Sequence, residues 1–168
     1  DDLQLALHYP DWSKPLMIVK EIKGGKEING KTYYYELVAG FHSLVGLAAV
    51  FVAISAFLKP EAFNLGVVGN IKLASLIEMS LGAAIGAITF SGSIIAFFKL
   101  RGIMSGAPIT FKGQHIINLV LGLAIFALIY YLCVSQSSNI FWAVVLISFL
   151  LGVLLIIPIG GADMPVVI

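Results

Sequence analysis

A run of fifty consecutive residues, 113–162, contains no Asp, Glu, Lys or Arg. As one helix rising about 1.5 Å per residue, the run would be about 75 Å long, more than twice the roughly 30 Å hydrocarbon thickness of a bilayer. It must therefore fold back. The polar cluster at residues 135–139 predicts the turn, which leaves two spans near residues 116–134 and 140–159.

Two more apolar spans precede this run. Residues 37–58 carry no charge, and residues 73–98 carry only Glu78, whereas eleven of the nineteen charged residues lie in residues 1–36. Helices are favoured in lipid because they satisfy every backbone polar group internally. The sequence predicts an all-α polytopic membrane helix bundle of four transmembrane helices. The apolar run that ends at Ile168 predicts the start of a fifth helix and suggests a fragment of a longer protein.

Several classes of function are excluded by what the sequence lacks. A net charge of +1 provides no broad basic surface for nucleic acid, whose binding depends on Lys and Arg neutralising phosphates. The sequence contains no P-loop, no G-x-G-x-x-G after a strand, no cluster of metal ligands and no Ser, His and Asp arrangement for hydrolysis. Cys133 is the single cysteine, so no internal disulfide forms. We expect this chain to bind no cofactor and no metal.

Residues 1–36 differ in composition from residues 37–168, which we interpret as the transmembrane domain. Residues 16–19 predict a short strand, and Asn29-Gly30 predicts a two-residue hairpin turn, so we expect a small hairpin at the membrane surface. Lys and Arg are commoner in the N-terminal segment and the 99–114 loop than on the opposite side, where only Lys59 and Lys72 lie. The first side is therefore predicted to be cytoplasmic, or to face the matrix of a mitochondrion.

His42 is a titratable residue within the first span. Gly46, Ala49 and Ala53 follow it on the same helical face. Small residues allow a neighbouring helix to approach closely, so we expect His42 to face the bundle interior. Ionisable groups inside membranes usually mark ion or proton pathways, and histidine exchanges a proton near neutral pH. The alternative is a neutral histidine hydrogen-bonded to a partner helix.

The second span carries a stripe of polar and small residues at helical spacing, namely Ser75, Glu78, Gly82, Gly86, Thr89 and Ser93. The pair Gly82 and Gly86 predicts close helix contact, and packing alone is the alternative explanation of the stripe. Antiparallel spans place His42 and Glu78 about 15–20 Å apart in depth, too far for contact. Ser91 or Ser93 lies at the depth of His42. We hypothesise a path of polar groups and water from Glu78 to His42.

After the fourth span, Pro158, Gly160 and Gly161 end the helix. Asp163 then has the position of an N-cap for the next helix. Capping and an interaction role explain an aspartate at this position equally well. The basic inner loop between Lys99 and His115 is suited either to docking a soluble partner or to anchoring on lipid headgroups.

Four segments in order resemble the membrane domain of the proton-translocating NAD(P) transhydrogenases, in their beta subunit or its single-chain equivalent. They are ELVAGFHSLVGLAAV at 36–50, GAITFSGS at 86–93 with Lys99-Leu100, SGAP at 105–108 with GQH at 113–115, and IGGADMPVVI at 159–168. The resemblance covers about residues 36–168. Lys112 and Gln114 depart from it, since the family more often has a proline and an arginine there, and residues 1–35 do not match it.

The resemblance implies an enzyme that transfers hydride between NADH and NADP⁺ while a proton crosses the membrane. It places the family's intramembrane histidine at His42, its acidic residue at Glu78, its Gly-Ser pair at Gly92 and Ser93, and its loop aspartate at Asp163. Gly160 and Gly161 share that loop, which faces the NADP(H) domain. The family's next helix, with a Leu-Asn-Ser-Tyr-Ser-Gly-Trp signature and a functional asparagine, would follow Ile168, so this chain should be inactive alone.

The implied partners are lipid, the remaining transhydrogenase helices and soluble domains that bind NAD(H) and NADP(H), in a dimeric complete enzyme. The implied location is a bacterial cytoplasmic membrane or a mitochondrial inner membrane. Two alternatives remain open at this point. The chain could belong to a transporter or channel without redox coupling, or it could be a structural membrane subunit.

Overall fold

The computed structural model describes residues 19–22, 25–28 and 31–160, with side chains from residue 35 onward. Four helices dominate this part of the chain: α1 Tyr35–Leu58, α2 Leu73–Leu100, α3 Gln114–Ser135 and α4 Ser138–Ile156. Each is long and apolar enough to cross a membrane. The prediction of an all-α, multi-pass membrane protein with four spans is therefore confirmed. The predicted start of a fifth helix lies outside the described residues.

The chain folds back between α3 and α4, within the predicted polar cluster. Only Gln136 and Ser137 separate the two helices. Gln136 adopts a left-handed conformation with φ of 48°, and its N–H donates to the carbonyl of Leu132. A left-handed residue after the last turn is a common way to end a helix and redirect the chain. Here it makes α3 and α4 an antiparallel pair.

Helix α2 lies at the centre of the bundle. On one side it packs antiparallel against α1, where Gly40 lies beside Phe97 and Gly46 lies beside Gly86. On the other side it packs parallel to α4, where Gly152 lies beside Ile88. Helix α3 packs mainly against α4, and Ile125 and Ile129 of α3 share a buried cluster with Ala84 of α2. The core of the described bundle thus surrounds α2.

Four glycines of the described helices, Gly46, Gly86, Gly92 and Gly152, allow close helix contacts, and Gly82 of the predicted pair is not among them. A Cβ atom on Gly86 would lie 2.8 Å from the carbonyl oxygen of Gly46, and one on Gly92 would lie 3.0 Å from Ile156 of α4. A Cβ on Gly82 would have no neighbour within 4 Å in the described structure. The predicted contact through Gly82 and Gly86 together is therefore wrong for Gly82. The close pair is Gly86 with Gly46, because these face each other across the crossing.

The α1 to α2 connection is a short folded segment. A 3-10 helix, Pro60–Phe63, precedes an antiparallel pair of strands, β4 Gly66–Val67 and β5 Asn70–Ile71. The side-chain amide of Gln136 joins this segment to the α3 to α4 turn, since it accepts from the N–H of Ile71 at 2.8 Å and donates to its carbonyl at 3.2 Å. Phe57 and Phe141 stack nearby, with ring centroids 4.3 Å apart. All four helices are therefore linked at this end.

The N-terminal segment forms a three-stranded antiparallel sheet of β1 Val19–Ile22, β2 Gly25–Ile28 and β3 Lys31–Tyr34. Ile28 pairs with Lys31, which leaves two residues between the strands where Asn29-Gly30 predicts the turn. Strand β1 overlaps the strand predicted at 16–19 only at Val19, and residues 16–18 lie outside the described residues. Placement of this sheet at the membrane surface, as a segment separate from the transmembrane domain, stays a prediction.

The α1 and α2 crossing generates a test by a pair of glycine substitutions. We expect Gly86→Ala to destabilise the chain by about 1–3 kcal/mol, because the added methyl group meets backbone that cannot move aside easily. Gly82→Ala is the matched control, since its Cβ enters open space and alanine favours helix by up to about 1 kcal/mol. Thermal unfolding of the purified chain in detergent measures both. Equal melting temperatures for the two variants would contradict the observed crossing.

Candidate functional site

His42 lies on α1 one turn before Gly46, and its side chain is exposed in this structure. The expectation that it faces the interior is therefore wrong within the described bundle. Helix α1 packs against α2 through the face of Ala39, Ser43, Gly46 and Val50. His42 follows Ala39 by three residues, which places it about 60° to one side of that face. The histidine consequently lies at the edge of the α1 and α2 contact.

Ser93 is the hydroxyl residue of α2 at the level of His42. Thr89 lies beside Gly46, with its Cβ 3.1 Å from the position of a Cβ on that glycine. Because the helices are antiparallel, moving one turn back along α1 from Gly46 to His42 corresponds to moving one turn forward along α2 from Thr89 to Ser93. Ser93 is half-buried.

Ser91, the other predicted neighbour of His42, faces away from α1. It is buried, and its hydroxyl donates to the carbonyl of Ala87 at 2.9 Å. A Cβ on Gly152 of α4 would collide with this hydroxyl, so Ser91 packs against α4. Ser93 alone of the two predicted serines is on the side of α2 that adjoins α1.

Glu78 lies on the same edge of the helix pair as His42. Gly86 faces α1, and around α2 Glu78 is offset from it by about 80° and Thr89 by about 60°. Both offsets have the same rotational sense as the offset of His42 from Ala39, which faces α2. In an antiparallel pair, offsets of the same sense fall on the same edge. We call His42, Glu78, Thr89 and Ser93 the polar edge.

The length of the polar edge separates its two ionisable groups. Ser93, at the level of His42, follows Glu78 by fifteen residues, a rise of about 22 Å along α2. Glu78 is exposed, and Gly82 one turn later leaves open space beside the helix. The prediction that His42 and Glu78 do not touch agrees with this spacing. A proton moving between them would need intermediate groups, and Thr89, Ser93 and water are suitable ones.

The residues expected to act at the inner end are only partly described. Gly160 follows the end of α4 at Ile156, with Pro158 between them as the sequence indicates. Gly161 and Asp163 lie outside the described residues, so their role stays a prediction. Among residues 35–160, no group of three or more His, Cys, Asp or Glu side chains is arranged to hold a metal ion.

Two polar residues near the inner loop have buried roles that sequence reasoning missed. Lys99 was expected to lie in a loop and to set topology, but it belongs to the last turn of α2 and is 4% exposed. Gln114 is the first residue of α3, is equally buried, and donates to the carbonyl of Leu154 at 3.1 Å. The only sequence signal was the position of each at a helix terminus. Their acceptors are carbonyls of a helix far along the chain, which no local pattern reveals.

Cysteine cross-linking tests the polar edge. In a Cys133→Ser background, we expect the pair His42→Cys and Ser93→Cys to cross-link with a short bifunctional thiol reagent. The control pair, His42→Cys with Ser91→Cys, should cross-link much less, because Ser91 faces α4. Gel mobility after cleavage between α1 and α2 measures the yield. A higher yield for the control pair would contradict the assigned faces.

Comparison with known proteins agrees with the sequence resemblance. Residues 27–168 match the family described as the NAD(P) transhydrogenase beta subunit, so the match begins inside β2, earlier than the resemblance at residue 36. Two relatives named NAD(P) transhydrogenase subunit beta, from Rhodospirillum rubrum and from one of its named strains, are each 56% identical over 133 residues.

These 133 residues are 79% of this chain but only 29% of each relative, so the chain spans under a third of their length. The family match at residues 27–168 covers all four helices and the polar edge. The chain therefore belongs to the NAD(P) transhydrogenase beta subunit family.

Proposed function

We propose that this chain forms part of the membrane proton path of an enzyme that couples hydride transfer between NADH and NADP⁺ to proton translocation. Family membership supports the redox part of this proposal. The polar edge supports the proton part, because it is a row of polar groups along two membrane-spanning helices and includes a histidine and a carboxylate. His42 at the level of Ser93 is the observation that carries the proposal.

The position of His42 is suited to proton exchange. An imidazole ring can both accept and donate a proton, which suits it to a place in a proton path. Its exposure on the described helices leaves it open to water and to further helices of the complete protein. A histidine buried against α2 would exchange protons only after the helices had separated.

Glu78 is proposed to serve the end of the path opposite to His42. The rise along α2 from Glu78 to the level of His42 is about 22 Å, so proton transfer between the two residues requires a chain of water molecules and hydroxyl groups. Thr89 and Ser93 provide hydroxyl groups that both donate and accept hydrogen bonds.

The nucleotides are proposed to bind elsewhere in the complete enzyme. The chain has no recognisable nucleotide-binding motif, and the relatives are more than three times as long as the matched segment. We propose that the active enzyme also contains domains that bind NAD(H) and NADP(H), the remaining helices and a second copy of the whole protein. Asp163, with Gly160 and Gly161, is proposed to contact the NADP(H) domain from the inner side.

Replacing His42 tests the proton path. In the complete enzyme in sealed vesicles, we expect His42→Asn to reduce nucleotide-driven proton translocation by about 100-fold or more, because the amide cannot titrate. His115→Asn is the matched control, since this histidine is exposed at the start of α3 and away from the polar edge. A pH-sensitive dye inside the vesicles measures translocation. Pumping at the wild-type rate in His42→Asn would refute the assignment.

Replacing Glu78 tests the opposite end. We expect Glu78→Gln to slow translocation by about tenfold, since general acid-base groups contribute at least that much and water can partly replace this one. Glu61→Gln is the control, because Glu61 is exposed in the connecting segment and accepts from the N–H of Val68. The same dye assay compares the two. Unchanged pumping in Glu78→Gln would remove Glu78 from the path.

A further inference from the structure

Lys99 makes an unusual pair of contacts for a lysine at the inner end of a membrane helix. Its ammonium group donates to the carbonyl of Ile157 at 2.5 Å and to that of Ile159 at 2.8 Å. Both acceptors follow the last turn of α4, and the lysine is 4% exposed. Arg101 and Lys112, the neighbouring cations, are exposed. Lys99 therefore does not act mainly as a headgroup anchor.

The physical reason for these contacts is the carbonyl end of α4. The last carbonyls of a helix have no partners within the helix and form the negative end of its dipole. A cation that donates to these carbonyls supplies their missing hydrogen bonds and places its positive charge at the negative end of the dipole. Charged donors also form stronger hydrogen bonds than neutral ones. Burial of an ammonium group without acceptors would be costly. The lysine and the end of α4 thus stabilise each other's positions.

Other segments converge on the same helix end. The N–H of Ile109, in the inner loop, donates to the carbonyl of Ile157 at 3.2 Å, and Gln114 of α3 donates to Leu154. Ile156 and Ile159 pack with Ala96 and Phe97 of α2 in one buried cluster. Because of its charge, Lys99 makes the strongest of these polar links to the chain that leaves α4.

Lys99 also belongs to the helix that carries the polar edge. It follows Ser93 by six residues, less than two turns of α2. Ile159, which it holds, precedes Asp163 by four residues in the sequence. A shift of the segment after α4 would therefore be transmitted through the lysine to α2 near the level of His42.

We propose that Lys99 is a positioning residue that ties the segment leading to Asp163 to the proton-carrying helix α2, and so couples hydride transfer to proton movement. This inference rests on the proposed function. It adds a link between two places that the sequence resemblance treats separately. The proposed role is indirect, because the lysine acts through the backbone carbonyls of Ile157 and Ile159.

The test uses the complete enzyme in sealed vesicles with three substitutions of Lys99. Lys99→Met keeps the length of the side chain and removes the charge, Lys99→Gln keeps one shorter amide donor, and Lys99→Arg keeps the charge and several donors. Lys59→Met is the matched control, at an exposed lysine in the α1 to α2 connection, outside the inner loop. The readouts are protons translocated per hydride transferred, and the acceleration of hydride transfer when an ionophore collapses the proton gradient.

We expect Lys99→Met to lower the protons translocated per hydride by about tenfold, the effect of losing a hydrogen bond to a charged group. Its hydride transfer should no longer accelerate when the ionophore is added. Lys99→Arg should restore most of the coupling, Lys99→Gln should be intermediate, and Lys59→Met should match the wild type. A merely structural lysine would lower the amount or stability of the enzyme without changing the ratio of protons to hydride.

Three results would overturn the proposal. The first is a wild-type ratio in Lys99→Met, and the second is a loss of coupling in Lys59→Met equal to that in Lys99→Met. The third is failure of both Lys99→Met and Lys99→Gln to accumulate in the membrane, which would identify Lys99 as a folding determinant. Failure of the proposed function has a different signature, because wild-type vesicles themselves would then show no nucleotide-driven pumping.

Discussion

Close contact between α1 and α2 at Gly46 and Gly86 sets the arrangement of the described bundle. Each glycine approaches the backbone of the other helix so closely that a side chain would collide with it. In lipid, where apolar burial provides little drive for helices to associate, such close packing is a main source of association energy. The crossing fixes the rotation of both helices. It therefore fixes which residues lie at their edge, including His42, Thr89 and Glu78.

The two ends of the bundle are held by different chemistry. At the end where α1 leads to α2, the neutral amide of Gln136 pairs with the backbone of Ile71, and two phenylalanine rings stack. At the other end, the charged Lys99 holds the carbonyls that follow α4. The ammonium group therefore places a positive charge at the end nearest the polar Ser93, where the proposed coupling requires a strong link between α2 and the segment after α4.

Much of the architecture followed from residue spacing. The uncharged run of residues 113–162 is too long for one span, so lipid thickness alone required a turn, and the turn lies at Gln136 and Ser137. The helical repeat placed Glu78, Thr89 and Ser93 near one another around α2. Four short motifs indicate the family from the sequence alone. Helix rotation was predicted less well, because spacing shows which residues share a face and does not show which face meets a neighbour.

The number of spans, the antiparallel pairing of successive helices and the family are predictable from the residues, because they depend on hydropathy, chain length and local motifs. Packing between helices, by contrast, decides that Gly86 and not Gly82 meets Gly46 of α1, that Ser91 faces α4, and that His42 lies at an edge. It also decides that Lys99 is buried against α4. Each of these facts is a contact between residues far apart in the chain. Such contacts depend on how whole helices rotate and cross, which is settled by packing.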